Sequence, residues 1–227
     1  MGTLKYLKEL LGATLRRLRH FALPNLAKWP QHQCRLIGSE TPMVILIGGI
    51  GCTGKTLLAN QLMKETNIPY FPLDYLMMSI YRGMPSCGFT PMDGQFVLGE
   101  KMWPVIKGLI MTNIENDHSI ILEGFQLLPH LLRDFPSEYL ENIVPIFLFF
   151  SEKYIRDNFE AKILKHRSAI ESRSDIDDIT AAGLISETRR LKEHCIDHRA
   201  VFFEIEDDFD TGMKVAKDFV LAQLSNG

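Results

Sequence analysis

Residues Gly49 to Thr56 read Gly-Ile-Gly-Cys-Thr-Gly-Lys-Thr, and no other stretch restricts the fold as tightly. The octet is a complete G-x-x-x-x-G-K-[ST] phosphate-loop pattern. Ahead of it, Met43 to Ile47 is a short apolar run that reads as a buried strand; behind it, Leu57 to Glu65 reads as a helix. Strand, glycine turn and helix are the three parts this chemistry needs, and their order argues against a chance glycine-rich turn. Glycines let backbone N–H groups converge on phosphate oxygens, and the helix that opens behind them aims its positive end at the same place. Gly49, Gly51, Cys52, Thr53 and Gly54 are therefore candidate nucleotide-binding positions. Lys55 is placed to reach the β- and γ-phosphates, and Thr56 to offer its hydroxyl to Mg²⁺. The pattern implies a nucleoside triphosphate as ligand.

From Met43 onward the rhythm is strand then helix, which argues for an α/β fold with a parallel sheet covered on both faces. Ile68 to Leu73 reads as a second strand, followed by Asp74 and a helix through Arg82. Ser119 to Gly124 reads as a third, after a helix near Lys101 to Asn116. Ile143 to Phe150 is a fourth, almost wholly apolar and so central, although its Pro145 suits only a strand's beginning or a bulge. Ala200 to Ile205 is a fifth, and Thr211 to Leu224 a closing helix. Residues 83–99 are rich in Gly, Pro and Met and show no clear periodicity, while Glu152 to Arg199 reads as mostly helical and strongly charged.

Ligands of such sheets bind beyond the carboxyl ends of the strands. Three features fall there: the glycine loop, Asp74 and Glu123. Asp74 is placed to take the proton of an acceptor hydroxyl or to orient it; the bland alternative is a helix N-cap, for which Asp is well suited. Glu123 is a candidate Mg²⁺ holder, because that ion prefers oxygen ligands; its alternative is a solvent-facing turn residue before Gly124. A third group is cationic and spans Arg156 to Arg190. Arginines stabilise the charge that phosphoryl transfer spreads over the equatorial oxygens, and a lid can bring them in while excluding water. Arg167 and Arg173 are the preferred pair, and Arg82 is a further candidate clamp. The other cations read as a solvated helix face with local ion pairs.

Composition sets outer bounds. At 227 residues with 46% hydrophobic content, the chain can bury one sizeable core. A net charge of −3 gives no case for nucleic-acid binding. No apolar run reaches membrane-spanning length and no signal-peptide pattern opens the sequence. The four cysteines lack metal-ligand spacing, so they read as free thiols of a cytoplasmic protein. Charge is uneven, however. Residues 1–40 carry Lys5, Lys8, Arg16, Arg17, Arg19, Lys28 and Arg35 against only Glu9 and Glu40, so the remainder is net acidic. Leu4, Leu7, Leu11, Leu15 and Leu18 form a helical stripe. Such a basic amphipathic helix can pack its leucines on the body of the protein, lie on a membrane surface or meet an acidic partner. Residues 1–40 are thus read as this helix plus a proline-bearing linker, and 41–227 as the catalytic domain.

With these residues in view, the span Met43–Gly227 resembles the P-loop small-molecule kinases: shikimate, adenylate, uridine and gluconate kinases and the 2-phosphoglycerate kinase-like proteins. The resemblance rests on Gly49 to Thr56 as Walker A, Asp74 after the second strand, Ile121-Leu122-Glu123-Gly124 after the third, and the arginines around Arg167 and Arg173. It implies a P-loop NTPase three-layer sandwich, a five-stranded parallel sheet of order 2-3-1-4-5 and a helical lid. It also implies ATP and Mg²⁺ as cofactors and a small-molecule acceptor. The acceptor region would be about 75–116 and the lid about 152–199, with the loop Glu206 to Asp210 near adenine. The sequence departs from the group in lacking Asp-Asp or Asp-x-Asp after the second strand. Its lid arginine spacing matches no single member, and residues 1–40 have no counterpart there.

The expected activity is transfer of the γ-phosphate of ATP to a hydroxyl or phosphate of a small metabolite. Two alternatives stand beside it: a zeta-toxin-like kinase acting on a sugar nucleotide, and a regulatory ATP-binding protein without turnover. A GTPase or motor fits poorly, since no Asn-Lys-x-Asp occurs and no apolar strand ends in the Asp expected of a Walker B.

Overall fold

Two strands are buried along almost their whole length, and they organise everything else. β1 (Val44–Gly49) and β4 (Ile143–Phe150) pair in parallel at the centre of a five-stranded sheet of order β2-β3-β1-β4-β5. β2 is Tyr70–Pro72, β3 is Ile120–Glu123 and β5 is Phe202–Ile205. All four pairings are parallel, so both faces must be covered by helices. The structure is a computed structural model, and it describes residues 41–165 and 179–226.

α1 (Lys55–Thr66) and the C-terminal α7 (Phe209–Asn226) pack together, with α1 against β3 and α7 against β5. α3 (Gln95–Glu115) lies against β1, and α6 (Ala181–Asp197) against β4. The remaining described elements are α2 (Leu73–Gly83), a 3₁₀ turn (Pro129–Asp134), the short α4 (Ser137–Leu140) and α5 (Glu152–Asn158). A π-helical turn, Phe159–Leu164, continues α5. Ile45, Ile47, Leu58, Leu62, Phe147 and Phe149 are fully buried in this three-layer core. Each such side chain contributes roughly 1.5–3 kcal/mol relative to exposure. The strand order expected from the resemblance is the observed one.

Several local expectations are corrected. Pro145 is neither first in β4 nor at a bulge; it pairs with Leu46 inside the strand. Phe147, two residues on, turns its N–H to Val201 on the β5 side, so Pro145 faces the same way. β5 pairing begins only at Phe147, so the missing N–H falls where no neighbour asks for one. α3 starts at Gln95, inside the stretch that shows no periodicity, and it carries Pro104 within it. β5 starts at Phe202 and α7 at Phe209, which places the first turn of α7 within the expected adenine loop. No helix among the described residues is long and apolar enough to cross a membrane. The basic stripe of residues 1–40 lies outside the described residues.

Candidate phosphate-transfer site

The glycine loop leaves β1 at its carboxyl end and enters α1 at Lys55. Two backbone positions require glycine. Gly49 has φ 138, and a Cβ there would meet the Leu148 carbonyl oxygen at 2.1 Å. Gly54, with φ 84, is the N-cap of α1, and a Cβ would meet the Phe209 ring at 2.8 Å. Cys52 adopts φ 61 without being glycine, a left-handed turn of the kind that aims successive N–H groups into an anion-binding concavity. A Cβ on Gly51, by contrast, would touch nothing within 4 Å. The protein does not need glycine at that point, but a close-lying phosphate would.

The Ile50 carbonyl holds this turn together. It accepts from Thr53 Oγ1 at 2.9 Å and from Lys55 Nζ at 2.6 Å. Lys55 is only 9% exposed, so its ammonium is kept inside the loop. α1 opens with no acidic residue in its first turn and no side-chain cap among the described residues, which leaves its first N–H groups available to an anion.

Glu123, the last residue of β3, is 4% exposed, and its Oε1 accepts from Thr56 Oγ1 at 3.1 Å. It is therefore not a solvent-facing turn residue. Register explains the meeting: β3 lies beside β1 with Ile47 opposite Glu123, and the Gly124 N–H donates to the Ile47 carbonyl. The two residues expected to serve a metal are in direct contact, and their donor set is all oxygen, as Mg²⁺ prefers.

Asp74 is the second residue of α2, because Pro72 occupies the N-cap position. The N-cap role is thus excluded, though a carboxylate in the first turn still meets the helix dipole favourably. Asp74 Oδ1 accepts from Gln126 Nε2 at 2.7 Å, and the same amide lies 3.6 Å from Met77 Sδ. Gln126 is fully buried, and its Oε1 has no partner among the described residues. It follows Glu123 by three positions, so one short segment reaches both carboxylates.

Two polar residues of the site, Gln126 and Glu187, carry no motif in the sequence, and a third buried amide, Gln95, lies elsewhere in the core with no link to the site among the described residues. Gln95, buried at the start of α3, has Nε2 without a partner among the described residues. Glu187 on α6 feels the Lys55 charge; burial pushes its carboxyl above the usual glutamate range, and Lys55 pulls it the other way. Arg167 and Arg173 lie outside the described residues. Of the cations between residues 152 and 199, Arg156 and Arg189 both pair with Glu152, Lys162 lies over Tyr154, and Arg190 stacks on Phe96. Arg82 is exposed in the last turn of α2, roughly 12 Å along the helix from Asp74.

No protein-family model matches the sequence, and no curated protein matches it. Solved structures that align with this chain include small-molecule kinases. A gluconokinase from Sinorhizobium meliloti 1021 is 14% identical, with 82% of this chain and 99% of that one covered and a TM-score of 0.47. A shikimate kinase from Acinetobacter baumannii is 16% identical, covering 82% and 95%, with a TM-score of 0.49. A deoxyadenosine kinase from M. mycoides is 13% identical, covering 79% and 100%, with a TM-score of 0.44.

Proposed function

We propose that this chain is an ATP-dependent phosphotransferase that moves the γ-phosphoryl group to a hydroxyl or phosphate of a small metabolite. The observation that carries the reading is the loop Gly49–Thr56. It has a left-handed Cys52 and Gly54, open space at Gly51, and an enclosed Lys55 ahead of an uncapped helix. The backbone of Gly49 to Gly54 holds the phosphates, and Lys55 supplies positive charge where the transition state gains negative charge. Thr56 and Glu123 would hold Mg²⁺, whose chemistry there is to neutralise phosphate oxygens. Asp74 takes the acceptor's proton, with Gln126 holding the carboxylate in place. In this reading 41–227 is the catalytic domain, 75–116 frames the acceptor and 152–199 forms the lid with Arg167 and Arg173. The basic segment 1–40 is an appendage for a membrane surface or an acidic partner.

The test is a thermal shift with ATP and Mg²⁺ followed by an ADP-release screen over sugars, nucleosides, nucleoside monophosphates and small hydroxy acids. A ligand of the native state raises Tm, so ATP is expected to do so, and one acceptor class to release ADP stoichiometrically. No stabilisation by ATP or GTP sinks the reading; stabilisation without turnover on any acceptor favours a regulatory binder instead.

Glu123 gives a separate forecast. Glu123→Gln keeps a partner for the Thr56 hydroxyl but removes a charge that a hard cation needs. The Mg²⁺ concentration for half-maximal rate should rise about tenfold or more, the scale of about 1.4 kcal/mol in metal binding. An unchanged Mg²⁺ titration would remove Glu123 from the metal site.

A further inference from the structure

Away from the glycine loop, three histidines converge. His194 stands in the last turn of α6 and His198 is the residue that caps it, so the two are one turn apart on one face. His130, from the 3₁₀ turn Pro129–Asp134, meets them there. One ring nitrogen from each lies within 4.8 Å of the others, and the ring centroids are 5.7, 5.7 and 5.9 Å apart.

The polar atoms, more than the rings, make this unusual. The Nδ1 atoms of all three are buried, and none has a hydrogen-bond partner among the described residues. Buried polar atoms are normally satisfied, and an exception asks for a cause. Three exceptions at one point are poorly explained by packing, which would place carbon there. His130 is also oriented from behind: its Nε2 meets Glu100 Oε1 at 2.6 Å. A carboxylate on the far nitrogen is the arrangement that fixes the tautomer and ring direction of a metal-ligating histidine.

We propose that His130, His194 and His198 form a three-nitrogen site for one divalent transition-metal ion, of which Zn²⁺ is the natural probe. Imidazole suits Zn²⁺, Cu²⁺ and Ni²⁺, whereas Mg²⁺ keeps to oxygen ligands. The ion is thus distinct from the one that phosphate transfer calls on, and the proposal stands whatever the acceptor is. Zn–N bonds of about 2.0–2.1 Å set tetrahedral nitrogens roughly 3.3 Å apart, so the rings close inward on binding. All three residues are half-buried as wholes, while their Nδ1 atoms are enclosed. The ion would clamp α6 to the 3₁₀ turn that follows Gln126. Glu187, the residue that feels Lys55, lies two turns up the same helix from His194, roughly 10 Å away.

The test uses the full chain without a histidine tag, stripped with chelator and titrated with ZnCl₂ in excess Mg²⁺. One equivalent should remain bound through gel filtration and raise Tm. The double variant His194→Gln, His198→Gln should lose that equivalent and the Tm rise while keeping any ATP-dependent stabilisation. Should the variant fail to fold, Co²⁺ on the wild type decides: visible ligand-field bands without a thiolate charge-transfer band support the site. A thiolate band, failure to retain micromolar Zn²⁺, or undiminished binding by the variant would overturn it.

Discussion

Lys55→Ala should lower turnover by about two to three orders of magnitude, the effect of removing one preorganised charge-stabilising donor. The protein should nevertheless fold. Lys55 Nζ makes a hydrogen bond to the Ile50 carbonyl, and a bond from a charged group contributes about 1.5–3 kcal/mol net, less than a domain's whole stability. Thr53 Oγ1 still donates to the same oxygen, so the carbonyl does not lose its only partner. Melting temperature and circular dichroism report the fold, while kcat and kcat/KM report the transition state. If both kinetic constants fall together, the lost contact belongs to the transition state. A loss confined to KM would mean that Lys55 only binds nucleotide. Full activity in the variant would exclude it from transfer altogether.

The parts of this site that were legible are those written locally. The octet of the glycine loop sits within eight consecutive residues, between an apolar strand and a helix, so its geometry follows from neighbours in sequence. Glu123 was readable as a strand end because position alone places it beside β1. The Thr56–Glu123 contact then depends on β3 lying next to β1, which the resemblance implied and the register now makes specific. Gln126 was not readable. Its significance arises from α2 folding back so that Asp74 and Met77 meet one buried amide, with sequence separations of 52 and 49 residues. Glu187 arrives from a helix that read as a charged solvent face. The histidine cluster is hidden for the same reason: His194 and His198 are an ordinary i,i+4 pair until the Pro129–Asp134 turn delivers His130. Pro145 misled because a proline's tolerance depends on which neighbour its missing N–H faces, and that is a property of the finished sheet.

Asp74→Asn separates chemistry from architecture more sharply than any other single change. Asparagine keeps the shape and an acceptor oxygen for Gln126 Nε2, but it cannot take a proton. General-base contributions are typically 10²–10⁴-fold, so transfer to the acceptor should fall by about that much. ATP affinity should stay nearly unchanged, because Asp74 stands at the head of α2 and the phosphates at the head of α1. Stability should change little as well. A first-turn carboxylate contributes about 0.3–1 kcal/mol through the helix dipole, and the N-cap itself is Pro72, which makes no side-chain bond to lose. The purely architectural role therefore makes a different forecast: a small drop in Tm and no loss of rate. Measuring the rate, the ATP-dependent Tm shift and the Tm of the free protein on one variant distinguishes the two. A fully active Asp74→Asn protein would leave the Gln126–Asp74 bond as a brace between α2 and the segment after β3. The base would then have to be sought among the other polar groups of the site, and Glu187, which feels the Lys55 charge, would be the first to replace.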